Sequence, residues 1–220
     1  MAHDLKNPLA IIGGRAQRAL KSLEPESPVC ADLRVIQEQA LQADKDMNEL
    51  LDFCSRADLW VQQTVDLNRL VQETVVAIRH TELPEGVELT AQHAPEPLPV
   101  QGDPLQLKRA LRNVLDNAIR STQGQGKVTL TTSADQRSVY IRVHNTGEPI
   151  PRERWEDIFK PYITSKVIDG RPRRSGYGLP VTRGILMSHG GNVEVQEPGE
   201  EDQGTTFLIS IPLARSEEQA

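Results

Sequence analysis

The chain opens on His3-Asp4, with Asn7 one helical turn beyond the histidine. An imidazole beside a carboxylate can pass its proton to that carboxylate and keep one ring nitrogen nucleophilic. A carboxamide one turn away can hold a water or an oxygen against the same nitrogen. Further along, Asn113 and Asn117 are four residues apart and Arg120 follows three later, so a helix would carry all three near one face. Asparagine is a poor residue for a helix interior. Two on one face suggest a role, and carboxamide oxygens suit Mg²⁺ held beside nucleotide phosphates. Arg120 could then reach a phosphate. Glycines recur in Asn145-Thr146-Gly147, Gly176-Tyr177-Gly178-Leu179 and Gly204-Thr205-Thr206-Phe207. A glycine pair ahead of a helix suits an anion, because unpaired N–H groups point outward there. Between the first two glycine loops, Thr164 to Ser175 is polar and carries Lys166, Arg171, Arg173 and Arg174. It reads as a basic lid over a polyphosphate.

These residues need two different scaffolds. Around His3, apolar residues fall at Ala2, Leu5, Leu9, Ile12, Ala16, Ala19 and Leu23, in alternating steps of three and four. That is a heptad seam. Pro25 and Pro28 break it, and a second seam runs through Leu33, Ile36, Ala40, Ala43, Met47, Leu50 and Cys54. Two such helices joined by a short loop form an antiparallel hairpin that leaves an apolar stripe open, and dimerisation into a four-helix bundle closes it. His3 lies next to seam residue Ala2 and so projects off the seam. Pro8 removes a backbone bond to the Asp4 carbonyl and bends the first helix beside it.

After about Arg56 the pattern changes. Asp66 to His80 reads as an amphipathic helix and Val87 to Ala91 as a strand. Gly102-Asp103-Pro104 starts a helix, with Asp103 as N-cap, Pro104 in the first turn and Gln106 closing a capping box. That helix buries Leu107, Leu111, Val114, Leu115 and Ala118. Strands are expected at Lys127–Ser133, Ser138–Asn145, Asn192–Gln196 and Thr205–Leu213, and a short helix at Val181–His189. The fold expected is α plus α/β: the hairpin, over 1–58, followed by an α+β sandwich, over 62–215, with helices on one face of an antiparallel or mixed sheet.

Composition narrows the chemistry. The 220 residues carry 25 Lys plus Arg against 31 Asp plus Glu, a net charge of −6 that argues against a general nucleic-acid binder. Aromatics are 4% of residues, so the core must be aliphatic. No apolar run approaches the roughly 18 residues of a membrane span. Cys30 and Cys54 fit no metal-ligand spacing and no disulfide framework, which favours a reduced, cytoplasmic setting.

The order of these motifs resembles the catalytic core of bacterial sensor histidine kinases. His3-Asp4-Leu5-Lys6-Asn7-Pro8-Leu9 resembles the family's H box, and Asn113-Val114-Leu115-Asp116-Asn117-Ala118 its N box. Asn145-Thr146-Gly147 occupies the first glycine box, Phe159-Lys160-Pro161-Tyr162 the F box, Gly176-Tyr177-Gly178-Leu179 the second glycine box and Gly204-Thr205-Thr206-Phe207 the third. The resemblance implies a histidine kinase-like ATPase sandwich, ATP-dependent autophosphorylation on His3, and relay to the Asp of a response regulator receiver domain. Asp4 would polarise His3, and Asn7 would serve the reverse reaction. Asn117, assisted by Asn113, would bind Mg²⁺. Asn145 would meet the adenine amino group, with Thr205 supporting that contact through water. Arg120, Lys166 and the lid arginines would meet phosphates, with Gly176 and Gly178 as lid hinges, and Gly147 and Leu179 would complete the ATP site. The partners implied are a second copy of the hairpin and a response regulator.

Three departures stand out. The family usually has Asp where Asn145 stands, Pro149 replaces a glycine of the first glycine box, and Pro180 replaces one of the second. Altered nucleotide affinity is expected. Because the family's first helix begins well upstream of its histidine, the chain is expected to be a piece of a larger kinase, reaching a membrane only through upstream segments. Two alternatives are distinguishable. A chaperone- or repair-type ATPase would need a glutamate at the Asn113 position to activate water, and an amide cannot act as that base. A pseudokinase or phosphotransfer scaffold would gain no stability from ATP and Mg²⁺.

Overall fold

A computed structural model describes residues 2–24, 27–55, 61–160, 178–197 and 203–214; the side chains of 2–7, 42 and 45–55 lie outside the described set. The described residues fall into two compact units, one up to Ser55 and one from Val61 onward.

The first unit is a helical hairpin of α1 (Ala2–Ser22) and α2 (Val29–Ser55). Small residues let the two helices approach: Gly13, Ala16, Cys30 and Ala40 are buried, and a Cβ on Gly13 would stand 3.5 Å from that of Ala40. Cys30 Sγ donates to the Glu24 carbonyl and ties the loop to the start of α2. Packing within one hairpin satisfies only part of the seam. Ile12 and Ile36 remain 46% and 45% exposed, and Ile11 and Leu41 are exposed as well.

The second unit runs β1 (Gln63–Asp66), α3 (Leu67–Thr81), β2 (Val87–Gln92), β3 (Pro99–Gly102), α4 (Pro104–Ser121), β4 (Gly126–Ala134), β5 (Ser138–Asn145), two 3₁₀ turns (Arg152–Arg154 and Asp157–Phe159), α5 (Gly178–Ser188), β6 (Asn192–Gln196) and β7 (Thr205–Pro212). Five strands form a mixed sheet in the order β2-β4-β5-β7-β6, with β2 parallel to β4 and every other pair antiparallel. Strand alternation sets its buried face. Val139, Ile141, Val143 and Asn145 on β5 face the same way as Thr205, Phe207, Ile209 and Ile211 on β7. The helices cover that face with Leu70, Val71, Val75 and Ile78 of α3, Leu107, Leu111, Val114, Leu115 and Ala118 of α4, and Val181, Ile185 and Leu186 of α5.

The sheet predicted from alternation is present, and it is mixed. A second ribbon, β1 paired antiparallel with β3, was not predicted. Its strands have four residues each and little alternation. A half-buried polar clamp fixes the proline-rich segment beside it. Asp66 caps α3 and accepts from the Leu98 N–H at 3.0 Å, and Asn68 Nδ2 donates to the Ala94 and Glu96 carbonyls.

The predicted start of α4 needs one correction. Asp103 is the N-cap and accepts from the N–H groups of Leu105 and Gln106, and Pro104 stands in the first turn. The reciprocal half of the capping box is not made. Gln106 is buried and its Oε1 has no partner among the described residues. The Asp103 N–H instead donates to His189 Nε2 at 3.0 Å, while His189 Nδ1 reaches the Ile185 carbonyl at 2.7 Å. A carbonyl only accepts, so the imidazole proton sits on Nδ1 and Nε2 is the acceptor. His189 thus joins the end of α5 to the start of α4. A Cβ on Gly102 would overlap its ring, so the contact also demands glycine before the cap. Replacing His189 with alanine leaves the Asp103 N–H without its acceptor and is expected to cost about 1–3 kcal/mol. Urea unfolding reads this directly, and an unchanged midpoint at unchanged slope contradicts it.

Candidate functional site

The predicted site residues of the second unit lie on α4, the end of β5, the start of β7 and the start of α5. Asn113 and Asn117 occupy successive turns of α4, both half-buried, on the side away from the apolar stripe. Asn113 Nδ2 donates to the Gly178 carbonyl at 3.1 Å. That bond ties α4 to the first residue of α5 and orients the Asn113 carboxamide oxygen. The same carbonyl accepts from Thr182 Oγ1 at 2.9 Å. Leu179 follows, half-buried, and Arg120 is exposed in the last turn of α4.

Asn145 closes the buried face of β5. It is 0% exposed, and neither Nδ2 nor Oδ1 has a hydrogen-bond partner among the described residues. A buried carboxamide with no partner costs about 1–3 kcal/mol. Such an atom pair is a standing request for a ligand that can both donate and accept. The backbone around it is packed too tightly for side chains. A Cβ on Gly147 would overlap the Ser121 carbonyl at the end of α4, and would stand 3.0 Å from Asn145 Nδ2. A Cβ on Gly204 would overlap the Asn145 carbonyl itself. Gly204 also has φ +136°, a conformation that side-chain-bearing residues rarely adopt.

Thr205 stands opposite Asn145 in the β5–β7 register and is buried. Its Oγ1 accepts from the Ile150 N–H at 3.2 Å. The hydroxyl is engaged with the loop that follows β5, and so holds that loop beside Asn145. Thr146 Oγ1 fastens the other side by accepting from the Lys127 N–H at 3.0 Å.

The F-box end of the unit is held by contacts that the sequence reading missed. Trp155 Nε1 donates to the Ile150 carbonyl at 2.8 Å. Arg183 on α5 pairs with Glu156 at 2.9 Å and lies 5.3 Å from the centroid of the buried Phe159 ring. Lys160 donates to Asp157 at 2.7 Å, and that hydrogen bond raises its pKa above the ordinary lysine value. The Arg183 contacts join elements far apart in sequence, and no periodicity announces them.

His3, Asp4 and Asn7 lie in the first two turns of α1, and their side chains are outside the described residues. Lys166 and Gly176, with Arg171, Arg173 and Arg174, also lie outside the described residues. Among the described residues no group of three His, Cys, Asp or Glu could hold a metal ion. No helix among them is long and apolar enough to cross a membrane.

A mixed sheet backed by three helices, with asparagines on the central helix and glycine-lined turns at one end, defines a nucleotide-binding sandwich. The chain belongs to the family of histidine kinase-, DNA gyrase B-, and HSP90-like ATPases, whose match spans residues 102–215, just over half its length. It is 28% identical over 214 residues to the sensor histidine kinase ZraS of Escherichia coli, covering 97% of this chain and 44% of that protein. It is 26% identical to sporulation kinase A of Bacillus subtilis, covering 96% of this chain and 33% of that one. Among solved structures it is similar to histidine kinase ThkA in complex with response regulator protein TrrA, at 27% identity and a TM-score of 0.72, covering 97% of this chain and 60% of that one. The catalytic domain of ThkA alone matches at 29% identity and a TM-score of 0.61, covering 70% of this chain and 99% of that one. The chain thus spans less than half the length of these two curated relatives.

The crowding at Gly204 can be separated from its backbone conformation. Gly204→Ala is expected to cost about 1–3 kcal/mol or more, from both the positive φ and the overlap with Asn145. Gly124→Ala, at φ +89° with nothing within 4 Å of its added Cβ, carries only the first of these. Equal losses in the two variants on chemical unfolding would contradict the close packing of Gly204 against Asn145.

Proposed function

We propose that this chain is the phosphotransfer core of a sensor histidine kinase: a helical hairpin over 1–58 that dimerises and carries the phosphoacceptor His3, and an ATP-binding domain over 62–215. The observation that carries the reading is the buried, unpartnered carboxamide of Asn145 at the end of a glycine-lined turn. A purine ring is flat enough to lie against glycine backbone and has both donors and acceptors on one edge, so it suits that group.

The other residues take roles that follow from their chemistry. Asn117 and Asn113 supply carboxamide oxygens, which are hard ligands suited to a Mg²⁺ that arrives with the phosphates. When bound, that ion neutralises phosphate charge. Gly178 and Leu179 present the start of α5, whose N–H groups favour an anion. Arg120 and Lys166 offset further negative charge. Gly147 keeps the base site narrow, Gly176 hinges the basic segment, and Thr205 holds the loop beside Asn145.

Positioning and charge neutralisation dominate this kind of transfer. A ring nitrogen of His3 forms the N–P bond to the γ-phosphorus, the bond from that phosphorus to the bridging oxygen breaks, and ADP departs. Asp4 takes the imidazole proton. In the relay step the N–P bond breaks, a receiver-domain aspartate gains the phosphoryl group, and His3 is restored. Asn7 orders water for the reverse, dephosphorylating reaction. The exposed seam residues Ile12 and Ile36 favour a homodimer, because a second hairpin would cover them.

Incubation with γ-labelled ATP and Mg²⁺ is expected to give an acid-labile, base-stable phosphoryl label, and His3→Gln protein is expected to take up less than about a hundredth as much, as for loss of a sole nucleophile. Equal labelling of the two proteins would place the acceptor elsewhere.

A further inference from the structure

Asn145 differs from a carboxylate in a way that bears on which base it admits. A carboxylate only accepts hydrogen bonds, whereas a carboxamide accepts through Oδ1 and donates through Nδ2. An adenine edge offers a donor at its 6-amino group and an acceptor at N1. A 6-oxo purine offers the reverse, an acceptor at O6 and a donor at N1. Rotating the carboxamide by half a turn exchanges Oδ1 and Nδ2, so one orientation complements the first edge and the other complements the second.

What decides between the orientations is the protein's own bonding to the amide, and here it is silent. Neither Nδ2 nor Oδ1 of Asn145 has a hydrogen-bond partner among the described residues, and the side chain is fully buried. Side chains are kept away on two sides: a Cβ on Gly147 would stand 3.0 Å from Nδ2, and a Cβ on Gly204 would overlap the main-chain carbonyl. The Thr205 hydroxyl, its cross-strand neighbour, is committed to the loop at Ile150. Turning the amide would therefore break no hydrogen bond to the described residues.

We infer that Asn145 makes the base site of this chain permissive, accepting both 6-amino and 6-oxo purine nucleoside triphosphates. This rests on the reading of Asn145 as the nucleobase contact. A carboxylate at the same position would accept from the 6-amino group and meet the lone pairs of O6 with its own. Sites built to hydrogen-bond a substrate group discriminate strongly when that group is mismatched, because buried polar atoms are left unpaired.

The test is calorimetric titration of the 220-residue chain with ATP and with ITP, each with Mg²⁺. ITP carries the 6-oxo edge without the extra 2-amino group of guanine, so the comparison isolates the edge. The wild-type chain is expected to bind the two within about threefold of each other. Asn145→Asp is expected to favour ATP by about tenfold or more. Asn145→Leu, which keeps the volume and removes both polar atoms, is expected to weaken both nucleotides by the same factor. Should the Asp variant not fold, the wild-type ratio still decides. A wild-type preference for ATP of about tenfold or more overturns the inference while leaving the nucleotide reading in place. Binding of neither nucleotide overturns both. Tight ATP binding that Asn145→Leu leaves unchanged removes Asn145 from the base contact and overturns the inference as well.

Discussion

The buried face of the sheet ends in a polar group that no described residue satisfies. Along β5 the inward positions run Val139, Ile141, Val143 and then Asn145, and the partner strand runs Ile211, Ile209, Phe207 and then Thr205. Up to the last pair this is an ordinary aliphatic core. At the last pair it becomes a carboxamide without a partner among the described residues, beside a threonine that holds a loop. Much of the surrounding architecture follows from that termination. Gly147 and Gly204 must lack side chains because the Ser121 and Asn145 carbonyls occupy the space. The last turn of α4 comes close to this end, since the Ser121 carbonyl fills the space beside Gly147. An unpaired buried amide opposes folding by about 1–3 kcal/mol, so the core packing around it has to be good enough to keep it in place.

The hairpin faces a related problem of incomplete cover. Gly13, Ala16 and Ala40 allow close contact inside one hairpin, and that contact leaves Ile12 and Ile36 in water. The contact inside the hairpin thus uses only part of the regular seam. A second hairpin laid against that stripe would cover both residues.

How much of this could be read from the sequence depended on whether the signal was local. The N-cap at Asp103, Pro104 in the first turn and the apolar stripe of α4 are short-range patterns, and they appear as expected. The alternation of β5 and β7 placed Asn145 and Thr205 at strand ends, while their pairing is a long-range register that alternation does not set. The misses are of one kind. Gln106 has the right type and spacing to close a capping box, yet the Asp103 N–H goes to His189, 86 residues away. The hold of Arg183 on Glu156 and Phe159, and the pairing of β1 with β3, are likewise made across large separations by residues with no periodic signature. The isolation of Asn145 was also hidden. The residue type was legible, but its complete burial and the absence of any described partner depend on the packing of four elements at once.

The central claim is that this buried site is completed by a nucleotide. Thermal unfolding of the chain with and without ATP and Mg²⁺ tests it most directly, since a ligand bound only to the folded state stabilises it by RT ln(1 + [L]/Kd). The midpoint is expected to climb steadily with ATP concentration, by about 2–8 °C once ATP exceeds its dissociation constant by about ten- to hundredfold. A midpoint that stays fixed up to millimolar ATP would contradict it.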